Sequence, residues 1–189
     1  MRGQYTVLTT SVGYPITTAE TKTWLRESGT TYDDQIDMLI AAATDEAEKV
    51  MWRPCLTTTF RTYFDCWKPV LKLWKGGVTA IASIKYKDSN NAQQTLATTE
   101  YSYDIVSEPA RIEVINAPAV YQYGFNQIEV EFTAGWAEAS AVPNIIKTAI
   151  MTRVATYYET PQEIVTGTQV HQIPLWFERM LSNYKSDDV

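Results

Sequence analysis

Two helical blocks flanking a strand-rich middle predict an α+β protein. Three observations carry this. Apolar residues recur at helical spacing before residue 52 and again after residue 143. Between Arg53 and Trp136 the period drops to two. Charge divides along the same lines: residues 1–52 hold four bases and eight acids, residues 137–189 hold four and six, and residues 53–136 hold eight of each. Neither helical block can bury its apolar stripes alone. The economical arrangement is a bundle of about four helices formed by residues 1–52 and 137–189, with residues 53–136 inserted as an antiparallel β domain.

The first element opens at Thr17-Thr18-Ala19-Glu20, a capping box that starts a short helix running to about Ser28, with Gly29 as its terminator. Asp33 is the expected N-cap of a second helix, which Pro54 stops after Trp52. With Asp34 set to zero, Ile36, Leu39, Ile40, Ala43, Ala47, Val50 and Met51 fall between roughly 140° and 260°. Asp34, Asp37, Asp45 and Glu48 cluster within about 80° on the opposite side. This helix carries an acidic stripe.

Strands follow at Thr57–Phe64, Val70–Trp74 and around Ile84-Lys85-Tyr86-Lys87, where Asp88-Ser89-Asn90-Asn91 supplies a turn. Further strands lie at Tyr101–Ile105, at Ile112 and Val114, and at Ile128, Val130 and Phe132, whose alternating partners Glu129 and Glu131 mark a wet face. Five to seven strands are expected, with Gly76-Gly77 and Pro118 in turns. Pro143 suits the first position of a third helix, built on Ile146, Ile150, Val154 and Tyr157 and closed by Pro161. A long polar connection, Gln162 to Gln172, reads as functional. Pro174 opens the last helix, with Phe177, Met180, Leu181 and Tyr184 on one side.

Composition excludes several functions. The 189 residues are 45% hydrophobic, enough for a core, and 16 bases against 22 acids leave a net charge of −6. That balance argues against a dedicated grip on duplex DNA, which needs clustered cations. Apolar runs such as Met38–Ala43 fall far short of the ~20 residues of a membrane helix, and no signal-peptide pattern opens the chain, so a product made in the cytoplasm is expected. Cys55, Cys66 and His171 are the only thiols and imidazole, too few for a structural zinc site. If Thr57–Asp65 is one strand, about 30 Å separates its ends, so both cysteines are expected reduced. No cofactor is expected.

The chemistry-bearing strings have modest readings. Asp33-Asp34-Gln35-Ile36-Asp37 has the D-D-x-x-D spacing that can hold Mg²⁺ for a diphosphate. Carboxylates at a helix N-terminus are, however, explained by the helix dipole. His171 has no nucleophile elbow to serve, and no phosphate-binding glycine loop is present. Lys68, Lys72, Lys75, Lys85 and Lys87 alternate with Trp67, Trp74 and Tyr86, a pattern that either binds single strands or guards sheet edges.

Taken together, Ile16–Arg26, Asp33–Thr44, Ser83–Asp88, Tyr101–Ile105 with Glu108–Ile112, and Val130–Trp136 running into Val142–Lys147 resemble the head–tail connector (adaptor, or head-completion) proteins of tailed bacteriophages. Ile173-Pro174-Leu175 fits the same pattern. The match is to the long form with a β insertion, also seen in phage-like gene transfer agents. The order and spacing of the strings carry it, over nearly the whole chain. The resemblance implies a structural virion protein of the neck, without catalysis. It would dock on the portal protein as a homo-oligomeric ring, a dodecamer, extend the channel for passing genomic DNA, and present a platform to the next neck or tail-completion protein. Whether the free chain is a monomer stays open. On this reading Asp34, Asp37, Asp45 and Glu48 line the channel or a subunit seam. Gln162, Glu163, Thr166, Gln169, His171 and Gln172 then contact a neighbouring subunit or the portal. The alternative is a carbohydrate- or host-surface-binding β module using Trp67, Trp74 and Trp136, and a third reading is an enzyme on diphosphates.

Overall fold

A computed structural model describes residues 5–121, 123–159 and 175–186. In chain order it contains β1 (Tyr5–Thr10), α1 (Thr18–Leu25), α2 (Asp33–Met51), β2 (Thr58–Phe64), β3 (Val70–Leu73), β4 (Val78–Lys87), β5 (Gln93–Thr95), β6 (Tyr101–Asp104), β7 (Ala110–Val114), β8 (Ile128–Ala134), α3 (Asn144–Glu159) and α4 (Leu175–Leu181). Four helices and two antiparallel sheets make the α+β class. The chain divides into two compact units, Val12–Leu56 with Ala137–Lys185, and Met1–Ser11 with Thr57–Trp136 and Ser186–Val189.

In the helical unit, α1 begins as its capping box requires. The Glu20 amide donates to Thr17 Oγ1 at 3.2 Å, and Glu20 Oε2 accepts from the Thr17 amide at 2.7 Å. Those bonds, the backbone one foremost, hold the Glu20 carboxyl below its ordinary range. The helix ends earlier than Gly29: Arg26 takes the left-handed cap at φ 59° and returns its amide toward Lys22 and Thr23. Asp33 is not the N-cap of α2 either. Tyr32 occupies that place without a side-chain bond, and Asp33 instead pairs with Lys22 at 2.6 Å. A cation one loop away outcompetes the local amide for this carboxylate. Ile36, Ile40, Ala43, Ala47 and Met51 of α2 are buried, as are Ile146, Ala149, Ile150 and Val154 of α3, and Phe177 and Leu181 of α4 close the bundle. Pro143 lies just ahead of α3, and its carbonyl accepts from the Ile146 amide at 3.0 Å.

The β unit is two packed sheets of order β1-β2-β8-β4-β5 and β3-β7-β6. Alternation along β8 is complete: Ile128, Val130, Phe132 and Ala134 are buried while the residues between them are not. Phe132 stacks on Phe60 at 5.6 Å, and Leu71, Leu73 and Ile112 of the smaller sheet meet them in one core. Each fully buried side chain of this size contributes roughly 1.5–3 kcal/mol. The expected turn after β4 forms around Asp88, whose Oδ1 accepts from the Asn90 and Ala92 amides at 2.9 and 3.0 Å while Asn91 takes φ 62°.

Two of the eight strands, β1 and β5, are absent from the sequence reading, and β1 corrects it. The helical spacing places residues 1–52 in the bundle, yet Tyr5–Thr10 joins the larger sheet, Tyr5 opposite Thr62 and Thr10 opposite Thr58. Tyr-Thr-Val-Leu-Thr-Thr is good strand material, but its partner lies some fifty residues downstream, so no local turn announces the pairing.

Candidate functional site

The acidic stripe of α2 follows from helical geometry, but its four members do different things. Asp34 and Asp45 are exposed and make no hydrogen bond or ion pair among the described residues. Asp37 is exposed too, and accepts a short hydrogen bond from Thr18 Oγ1 of α1. Glu48 is half-buried, and its Oε1 accepts from the Cys55 amide at 2.7 Å, which ties down the chain leaving α2. Asp34 and Asp45 are thus open to a partner, whereas Glu48 is occupied inside the fold.

A fifth carboxylate, outside the stripe, is the best-partnered group on this helix. Glu46 Oε2 accepts from Arg153 Nε and from the Tyr157 hydroxyl, each at 2.6 Å, and Glu46 Oε1 accepts from the second guanidinium nitrogen. The Arg153 guanidinium also lies 5.0 Å from the Tyr157 ring centre and 5.4 Å from that of Phe177. Burial opposes ionisation of Glu46, but the bonds from Arg153 and Tyr157 outweigh it and hold the carboxyl below its usual range. The sequence signal was present: at 100° per residue Glu46 flanks the apolar face, where a carboxylate needs a partner.

On the outer face of the larger sheet the expected wet residues are corrected. Glu129 and Glu131 are half-buried and ion-paired. Arg61 Nε donates to Glu131 Oε1 at 3.1 Å, and Lys85 Nζ reaches the same oxygen at 3.3 Å. Register makes this ladder, since Arg61 and Ser83 both stand opposite Glu131 on the two strands flanking β8. Lys85 is therefore committed within the sheet. Lys75 sits over the rings of Phe60 and Tyr5 at 5.3 and 5.8 Å, and Lys72 over Trp74 at 5.5 Å. Those contacts take three of the five lysines of the basic–aromatic pattern.

The tryptophans do not form an open stacking platform. Trp67 packs on Tyr86 at 5.9 Å and donates its indole N–H to the Pro118 carbonyl at 2.9 Å, and Trp74 and Trp136 are half-buried. Both cysteines are free, Cys55 buried and Cys66 exposed. Burial, and then the charge of Glu48, push the Cys55 thiol far up from its ordinary value. Among the described residues no group of three or more His, Cys, Asp or Glu side chains is placed to hold a metal ion. No described helix is long and apolar enough to cross a membrane. Gln162, Glu163, Thr166, Gln169, His171 and Gln172 lie outside the described residues.

No family model and no curated protein matches the sequence. Solved structures match it along its whole length. A chain from the neck of an empty gene transfer agent (GTA) particle, computed with C6 symmetry, gives a TM-score of 0.79 at 20% identity, covering 98% of this chain and 97% of that one. A chain from the virion of a native GTA particle gives 0.78 at 20% identity with the same 98% and 97% coverage. A chain from the neck of a native GTA particle computed with C12 symmetry gives 0.74 at 19% identity, again covering 98% and 97%. At such identities the likeness establishes the fold: this chain has the α+β architecture of those particle chains.

Proposed function

We propose that this chain is a structural virion protein of the neck, a head–tail connector that docks on the portal vertex as a ring and joins capsid to tail. The observation that carries this reading is the end-to-end fold likeness to neck chains, 98% of this chain against 97% of theirs. Likeness over a whole chain favours a shared architectural role more than a shared module does. The C6 and C12 symmetries named for those necks support a ring of like copies. Its partners are the portal protein on one side and the next neck or tail-completion protein on the other. The reading requires no catalytic group.

Within the ring, Asp34 and Asp45 are the stripe members suited to line the channel or a subunit seam, since neither has a partner among the described residues. A channel for sliding duplex DNA gains from fixed negative charge, because a cationic wall would release counterions and bind the phosphates. The Gln162–Gln172 connection is assigned to contact with a neighbouring subunit or the portal.

Native mass spectrometry of the chain, alone and with the portal of the same particle, tests the reading. A ring-sized oligomer, free or formed on the portal, is the expected result. A chain that stays monomeric in both samples overturns it.

A further inference from the structure

Two features of this chain have no part in the reading above. One is the turn that leads into β8. Tyr123 and Phe125 are 74% and 80% exposed, yet the backbone beneath them is firmly built. The Asn126 amide donates to Asp65 Oδ1 at 2.8 Å. The Gln127 side-chain amide, on a residue only 3% exposed, donates to the Tyr123 and Phe125 carbonyls at 3.4 and 3.2 Å. Gly124 takes φ +117°, and a Cβ there would lie 2.8 Å from Gln127 Nε2. A braced turn that holds two aromatic rings in water is preorganised for contact, and aromatic anchors of this kind dominate interface energies.

The other feature is a groove on the helical unit. Ile16, Ile40 and Ala41 form its floor, Tyr14, Met38 and Asp37 its rim, and its volume is about 490 Å³. Met38 is 66% and Tyr14 43% exposed, so apolar surface reaches the rim, where Thr17, Thr18 and Asp37 add polar groups beside it.

We infer that the Tyr123–Phe125 turn of one copy seats in the Ile16–Met38 groove of the next copy. This rests on the reading of the chain as a ring-forming neck protein. Rings close through heterologous contacts, which need two different and complementary patches on each copy; a protruding aromatic turn and an apolar recess on the same chain meet that need. Charge selects the same pairing. The helical unit, Val12–Leu56 with Ala137–Lys185, holds eight bases and twelve acids, so helical units of two copies repel. The β unit holds eight bases and ten acids, and Tyr123-Gly124-Phe125 is uncharged, so this surface approaches the acidic unit at a smaller penalty.

Cysteine cross-linking of the full-length chain tests the seating, in a C66S background that leaves only buried Cys55. Under mild oxidation, M38C and F125C combined are expected to give a ladder of covalent oligomers beyond the dimer, because each copy offers one knob and one socket. Either cysteine alone stops at a dimer. Electron microscopy of the same samples reports the ring. With the portal of the same particle added, rings without a ladder overturn the seating and leave the neck reading intact, whereas the absence of both removes the two together. As a second measure, Y123A/F125A removes two mostly exposed side chains, at the cost of one edge contact between Tyr123 and Tyr121, and is expected to weaken self-association by about 30-fold or more. Unchanged association would overturn the inference.

Discussion

Arg153 of α3 clasps Glu46 of α2 with both arms of its guanidinium, across 107 positions of sequence, while its flat face rests on Tyr157 and Phe177. One cation thereby joins three helices of the helical unit. Paired, hydrogen-bonded charges of this kind have a pH signature.

Because the Glu46 carboxyl is held below its unfolded value of about 4.5, its contribution is complete above that pH and is lost as pH falls through the lower folded value. E46Q should cost about 1–2 kcal/mol at pH 7, the scale of a hydrogen bond to a charged group. It should also flatten the loss of stability between pH 5 and 3, leaving the share of other depressed carboxyls such as Glu131 and Glu20. Urea midpoints across that range measure both effects. An E46Q protein with an unaltered acid limb would remove Glu46 from the account.

Charge reversal separates the members of the acidic stripe. D45K should leave the stability within about 0.5 kcal/mol of the parent, as exposed substitutions away from special features do, and D34K should cost about 0.5–1.5 kcal/mol because Asp34 sits in the first turn of α2, where the helix dipole favours a carboxylate. E48K should cost about 1–3 kcal/mol, because it strips the Cys55 amide of its acceptor and adds a charge in a half-buried position. If Asp34 and Asp45 line the channel, the folded D34K/D45K chain should retain more duplex DNA at low salt and join heads to tails less well. Normal joining and no added DNA retention would dismiss the lining.

The two thiols should react very differently. Cys66 is exposed, while Cys55 is buried and its thiol is pushed far up by desolvation, so the thiolate that reacts is scarce and shielded. A thiol reagent should label one site per chain under native conditions and two in denaturant. Two fast labels on the native protein would mean that the end of α2 opens readily.

Much of the architecture was legible before the structure. The i, i+3, i+4 recurrence of Ile36, Ile40, Ala43 and Ala47 became the buried face of α2, and Ile128-Glu129-Val130-Glu131-Phe132 became the central strand of the larger sheet. Thr17 and Glu20 capped as read. Helix ends were less legible, since Arg26 adopts the left-handed cap three residues before the glycine suited to it. Strand β1 escaped notice because sheet membership depends on a partner distant in sequence. The candidate stripe was legible as a face but not as a set of free groups.

By itself the amino-acid order determined where helices and strands form and which side of each is apolar, because periods of 3.6 and two are properties of neighbouring residues. Tertiary structure alone decided which carboxylates face water. Thr18 reaches Asp37 from another helix, Arg153 reaches Glu46 from a segment more than a hundred residues away, and Arg61 and Lys85 converge on Glu131 from flanking strands. A side chain's partners are set by what the fold brings within about 3 Å of it, and no local pattern contains that distance.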